Sequence, residues 1–274
     1  MGDGGTGKTT DLAALARFGK VLLVNAEQGI KASALQRWSQ EVYGEDFPVE
    51  NITIYPDPDN ADEKITMQGL EQLWANIRDD LHKDPKAWLG VGWDSITEIQ
   101  KKFADLEKAD AVQKANRRGQ DRDPLTMDQD NWRRVNDMTR QLVRKYRDLP
   151  CHFGMTALQR REQDDDGKVV YQPGVTPGLQ NDLIGWMDIV LVTSTRYVPI
   201  DDIDEYLGLS KPHSKWRGKD RYKALPKWLI LPTYDRAIQY VRGELDSDTD
   251  EIMQDAKDRQ ARQADAVATD QVTA

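Results

Sequence analysis

Residues 2–9 read Gly-Asp-Gly-Gly-Thr-Gly-Lys-Thr, and no other stretch of this 274-residue chain narrows the possible folds as far. The spacing G-x-x-x-x-G-K-[ST] is met at every fixed position. Gly2, Gly4, Gly5 and Gly7 allow positive φ, so the backbone from Gly2 through Asp3 and Thr6 can turn its N–H groups toward phosphate oxygens. Lys8 is then placed to reach the β- and γ-phosphates of ATP, and the Thr9 hydroxyl to ligate Mg²⁺, with Thr10 completing the turn. Such a loop must open a helix. Thr9 to Phe18 supplies one, with Leu12, Leu15 and Ala16 on one face and a favourable dipole of about half a charge at its start. The loop also ordinarily hangs from a strand, and only Met1 precedes Gly2. The sequence therefore predicts a start further upstream, or a sheet that lacks its first strand.

The remainder alternates between two periods. Val21–Val24, Asn51–Tyr55, Trp88–Trp93 and His152–Ala157 read as strands, as do Asp188–Tyr197 and Lys227–Leu231. Helical spacing runs over 31–42, 67–82, 96–112 and 132–147, the last with Val135, Met138, Leu142, Val143 and Tyr146 inward. Asn116 to Pro124 is polar and turn-rich, and Asp166-Gly167 reads as the turn of a hairpin rising into Val169-Val170-Tyr171. Strands alternating with helices predict an α/β fold with a mostly parallel sheet covered on both faces. The expected division is one ATPase domain over 1–243 and an acidic tail over 244–274, disordered or frayed-helical, where acidic residues outnumber basic ones about three to one.

Two carboxylates stand at strand ends. Asp94 closes Leu89–Trp93 and precedes Ser95, as an aspartate holding Mg²⁺ through a coordinated water would; it also fits a residue capping the following helix. Glu27 lies just past Val21–Val24, expected beside the phosphate-loop strand, where it could orient and deprotonate an attacking water; it also fits the start of a helix.

The order of these parts resembles the RecA-like recombinase core, and more closely the phage RecA-like single-strand annealing ATPases of the Sak group. The likeness is carried by Asp94-Ser95-Ile96-Thr97-Glu98, Leu142 to Pro150, Met155-Thr156-Ala157-Leu158, Pro177-Gly178-Leu179 leading to Trp186-Met187-Asp188, and Lys219-Asp220-Arg221, and it spans roughly residues 2 to 230. The resemblance implies a catalytic role for Glu27, a γ-phosphate-sensing role for Thr156, and a basic pair, Lys219 and Arg221, reaching a neighbouring subunit's phosphates. It further implies single-stranded DNA and a ring or filament of copies as partners, with a single-strand DNA-binding protein as another. Two segments fall where such proteins place DNA-binding loops: Lys114, Arg117, Arg118 and Arg122 in one, Arg160 and Arg161 with Tyr171 in the other. Basic groups there would pair with phosphates and an aromatic would stack on a base, although Asp121, Asp123 and Asp164 to Asp166 share the same segments.

The net charge of −9 speaks against a protein that coats nucleic acid by bulk charge, but Lys211 to Lys227 is locally basic. No apolar run reaches the ~20 residues of a membrane-spanning helix. Cys151 is the single cysteine, which by default suggests a reducing cytoplasm. His82, His152 and His213 show no metal-ligand spacing, and Trp38, Trp74, Trp88 and Trp186 read as packing residues. Two other functions stay open: an ATPase that remodels or loads a protein partner without touching DNA, and a non-catalytic relative.

Overall fold

In the computed structural model the described residues are 1–58, 60, 63–121, 123–164, 166–198, 203–246, 254 and 258. The acidic tail beyond 246 and Arg122 otherwise lie outside them. The first helix, α1 (Lys8–Ala13), is shorter than its hydrophobic pattern and tightens into a 3-10 turn over Ala14–Phe18. Then follow β1 (Val21–Asn25), α2 (Ala32–Tyr43), β2 (Ile52–Tyr55), α3 (Met67–Lys83), β3 (Gly90–Asp94), α4 (Ile96–Arg117), α5 (Gln129–Arg147) and β4 (His152–Met155). The hairpin is β5 (Gln159–Gln163) and β6 (Val169–Pro173), turning at Gly167 with φ 75°. After it come α6 (Pro177–Trp186), β7 (Ile189–Val190), β8 (Val192–Val198), β9 (Ile203–Leu209), β10 (Lys219–Asp220), β11 (Trp228–Ile230) and α7 (Tyr234–Val241).

The central sheet is parallel, in the order β2-β1-β3-β4. Its central strands β1 and β3 are buried on both faces, and the flanking β2 and β4 are partly buried. One core packs Trp93, Ile96, Ile99, Val135, Leu142 and Tyr146 under α3 to α6; the other packs Leu12, Leu15, Leu23 and Leu35 under α1, α2 and α7. This is the α/β architecture that the alternation of periods predicts. Gly92 and Gly154 make it possible for α1 to lie close: a Cβ at Gly92 would stand 2.7 Å from Leu23 Cδ2 and 2.8 Å from Leu12 Cδ2, and at Gly154 2.8 Å from Leu12 Cδ1. The glycines that make β3 unusually poor in aliphatic residues are therefore a packing surface.

Caps set the helix starts. The Thr66 hydroxyl accepts from Gly69 N at 3.0 Å and the Asp128 carboxylate from Asn131 N at 2.8 Å, which begins α5 three residues before its apolar stripe shows it. Trp74 and Trp88 each donate an indole N–H, to the Lys145 carbonyl at 2.9 Å and to Asp80 at 3.1 Å; Trp38 packs on Phe47 and Trp186 under Arg144, so all four pack. The stretch Asp188–Tyr197 is not one strand. It breaks at Leu191 into β7, antiparallel to β10, and β8, antiparallel to β9.

Candidate nucleotide site

The phosphate loop lies at the C-terminal ends of the parallel strands. Gly5 and Gly7 hold φ of 75° and 77°, a region costly for any residue with a Cβ. Thr6 is buried and donates to the Asp3 carbonyl at 2.9 Å, which closes the loop from within, whereas Asp3, Gly4 and Gly5 are exposed along its rim. Lys8 Nζ also bonds the Asp3 carbonyl. Burial pushes the Lys8 ammonium below its ordinary value, against the opposing pull of Glu27, Asp94, Asp11 and Asp3.

Asp94, only 1% exposed, is the hub. Its Oδ2 accepts from the Thr9 hydroxyl at 2.6 Å and its Oδ1 from the Thr156 hydroxyl. Its backbone carbonyl accepts from Ala26 N at 2.7 Å and Glu27 N at 3.1 Å, fixing the turn that carries Glu27 out to solvent. Glu27 in turn accepts from the Ser95 hydroxyl. Ile96 N donates to the Thr156 carbonyl at 3.0 Å, tying the end of β4 to the start of α4. The Thr9 and Thr156 side chains thus meet on Asp94, and the next residue, Ser95, holds Glu27.

Both alternatives for the carboxylates are excluded. The cap of α4 is Ser95, whose oxygen accepts from Glu98 N at 3.4 Å, not Asp94. Glu27 starts no helix, since α2 begins at Ala32 behind Lys31. One expectation needs correcting: β1, which carries Glu27, does not neighbour the phosphate-loop segment. Met1 and Gly2 lie beyond β4, so β3 and β4 stand between. Glu27 reaches the site because the loop after β1 folds back over the end of β3. Ser95 is the residue that the motif reading passes over, and its S-x-x-E spacing to Glu98 was a legible signal.

ATP and Mg²⁺ fit what is present. The exposed glycine rim offers backbone N–H groups, and Thr9 and Asp94 offer the hard oxygens that Mg²⁺ takes, few in number as is usual when phosphates complete its shell. Among the described residues no group of three or more His, Cys, Asp or Glu could hold a metal by itself.

The other predicted residues lie elsewhere. Lys219 Nζ donates to the carbonyls of Ile184 and Gly185 at 2.9 and 2.8 Å. Arg221 pairs with Asp188 at 2.6 Å, and its guanidinium comes within 3.4 Å of the Gly185 carbonyl. They close the C-terminal end of α6, beside the start of β7, roughly five strand residues or about 16 Å below the level of Gly2. Lys114 and Arg117 are not in a loop: they sit on the last turn of α4, whose 22 residues run about 33 Å away from Ser95, with Arg118 just after. Lys114 pairs with Asp110 on its own helix. Arg160 and Arg161 are exposed on β5, Arg160 within 3.5 Å of Glu162. No helix among the described residues is long and apolar enough to cross a membrane.

A family model described as an AAA domain matches residues 1–222, which include the phosphate loop, Glu27, Asp94 and Thr156. The chain belongs to this AAA domain family. As an AAA domain it is a P-loop nucleotide-binding protein, a broader assignment than the annealing ATPases its motifs resemble. No curated protein matches the sequence. Among solved structures, the flagellar accessory protein FlaH from Methanocaldococcus jannaschii is similar at a TM-score of 0.40 and 11% identity, over 84% of this chain and 81% of that one. That likeness is too distant to carry an argument.

Proposed function

We propose that this AAA domain is a Mg²⁺-dependent ATPase acting on single-stranded DNA in phage recombination or annealing, as part of a ring or filament. The observation that carries the ATPase reading is the convergence of the Thr9 and Thr156 hydroxyls on buried Asp94, beside Lys8 and below exposed Glu27. Bound Mg²⁺ would neutralise charge between the β- and γ-phosphates. Lys8 would neutralise the same charge from the loop side, with Thr9 and Asp94 as the metal's protein anchors. Glu27, held by the Ser95 hydroxyl, would accept the proton of the attacking water. Thr156 bonds Asp94 from just past the end of β4, so a change at the metal would be felt at the start of β5, where Arg160 and Arg161 stand exposed. That route from the nucleotide to the exposed pair Arg160 and Arg161 supports DNA as the coupled partner. Lys219 and Arg221 would serve a neighbour's phosphates in the assembly.

The test is ATP hydrolysis with and without Mg²⁺ and with and without single-stranded DNA. Mg²⁺-dependent turnover stimulated by DNA is expected. Turnover indifferent to DNA would move the reading to a protein-remodelling ATPase, and none at all would leave a non-catalytic relative.

A further inference from the structure

We infer that the ring of Tyr206, on the β8–β9 hairpin, is the surface against which the nucleoside of the bound triphosphate packs. The inference rests on the reading that residues 2–9 hold the phosphates, and it adds a residue that no motif marks. Gly7 lies against this ring: a Cβ there would stand 3.3 Å from Tyr206 Cδ1 and 3.6 Å from Cε1. The hairpin touches the phosphate loop at a second point, where the Thr6 and Thr193 hydroxyls share a hydrogen bond at 2.9 Å. Thr193 N also donates to the Met1 carbonyl at 2.7 Å, and Gly2 bridges Leu158 on one side and Thr193 on the other. The hairpin therefore flanks the loop on the side away from β3 and β4.

Strand pairing fixes which side chains share this face. Thr193 is opposite Gly208, Thr195 opposite Tyr206 and Tyr197 opposite Asp204. Opposed residues, and those two apart along a strand, point to the same side. β8 runs parallel to the chain at Gly2 from Thr193 onward, so Thr195 and Tyr197 rise about 7 and 13 Å beyond that level. The lower end of the face is covered: Thr193 is buried, and a Cβ at Gly208 would stand 2.3 Å from Pro232 Cβ. The upper part is open, with Thr195, Tyr197 and Asp204 exposed and Tyr206 partly so. A wall thus stands beside the phosphate loop, and Tyr206 is the part of it next to Gly7.

Two observations say what the wall receives. The first is direction. Thr9, Asp94 and Glu27 put the metal and the terminal phosphate on the β3 side of the loop. The remainder of the nucleotide leaves on the opposite side, where the hairpin stands. The second is chemistry. The face made by Thr193, Thr195, Tyr197, Asp204 and Tyr206 includes no cation, and Arg196 lies on the other face, paired with Glu205. A nucleic-acid backbone would meet the Asp204 carboxylate with no cation beside it on this face, whereas Asp204 and the Thr195 hydroxyl can both accept from sugar hydroxyls. The Tyr206 ring offers a stacking surface that is indifferent to base identity, so purine triphosphates should bind with little preference among them.

The experiment compares calorimetric binding of ATP and of inorganic tripolyphosphate, both with Mg²⁺, to the full chain and to its Tyr206→Leu and Tyr206→Phe variants. Leucine keeps an apolar side chain beside Gly7 and removes the ring. Tyr206→Leu is expected to weaken ATP at least about fivefold while tripolyphosphate stays within about twofold, and Tyr206→Phe to leave both within about twofold. The unmodified chain should itself bind ATP at least about fivefold more tightly than tripolyphosphate, a comparison that needs no variant. Equal affinity of the unmodified chain for the two ligands overturns the inference, because nothing then holds the nucleoside. So does a parallel loss of both ligands in Tyr206→Leu, which would make the ring a prop for the loop, and so does unchanged ATP affinity in that variant. Binding of neither ligand by the unmodified chain is a different failure: it removes the phosphate-loop reading itself, and the inference falls with it.

Discussion

The two ends of the parallel sheet use their polar side chains in opposite ways. At the C-terminal end, Thr9, Asp94, Thr156, Ser95 and Glu27 bond one another across long stretches of sequence, and Asp94 is buried while Glu27 reaches solvent. At the other end, Lys219 and Arg221 bond backbone carbonyls at the end of α6 and the nearby Asp188 carboxylate. The first arrangement holds a buried carboxylate and a partly buried cation among side chains drawn from separate elements. The second performs a task the fold already sets, because the last carbonyls of a helix need donors and favour positive charge. A functional assignment is stronger where side chains are organised around each other than where they complete a helix end.

The largest expected effect lies at the first end. Lys8→Ala is expected to weaken ATP binding at least about a hundredfold, the equivalent of about 3 kcal/mol for losing a charge-assisted contact. Calorimetric titration with ATP and Mg²⁺ reads it directly. Unchanged affinity would break the assignment of residues 2–9, and with it the contrast between the two ends.

Next in size is Glu27→Gln. The amide oxygen can still accept from Ser95, so the loop should keep its shape while losing its base. Hydrolysis is expected to fall by about 10²- to 10⁴-fold with ATP affinity held within about twofold. Single-turnover kinetics beside equilibrium binding separates the two quantities. If turnover persists, Glu27 is only a rim residue and Asp94 alone organises this end.

Much of the nucleotide end was legible because its signals are local. A fixed spacing marks residues 2–9, and strand-end positions mark Asp94 and Glu27, whereas Thr156 stood out through the resemblance. Strand order was not legible: nothing near Glu27 in sequence says that β3 and β4 intervene between β1 and Gly2. The other end was read poorly for a related reason. β7 and β10 are two-residue strands, too short to show a period, and the segment after Asp188 looks continuous although its pairing switches partners at Leu191. Lys114 and Arg117 were misplaced because α4 outruns its apolar pattern: after Ala111 it continues as an exposed, charged helix. Lys219 and Arg221 stood out only through resemblance, and what they touch, the carbonyls of α6, has no signature in side-chain pattern at all.

The smallest effect sharpens that last point. Arg221 is more than half exposed and its pairing with Asp188 is a surface ion pair, so Arg221→Ala should cost only about 0.2–1 kcal/mol of stability, a fall of a few degrees at most in thermal midpoint. Steady-state ATPase distinguishes a helix-end role from one in trans. If Arg221 serves a neighbour, Arg221→Ala protein retains ATP binding and loses turnover. Mixing it with Lys8→Ala protein then restores activity above either alone, because the intact phosphate loop of one subunit meets the intact Arg221 of the other. A midpoint that drops slightly while turnover stays unchanged, with nothing gained on mixing, assigns Arg221 wholly to the end of α6. In that event the sheet has one chemical end and one structural end, and the cation completing the nucleotide site must be sought among other basic residues.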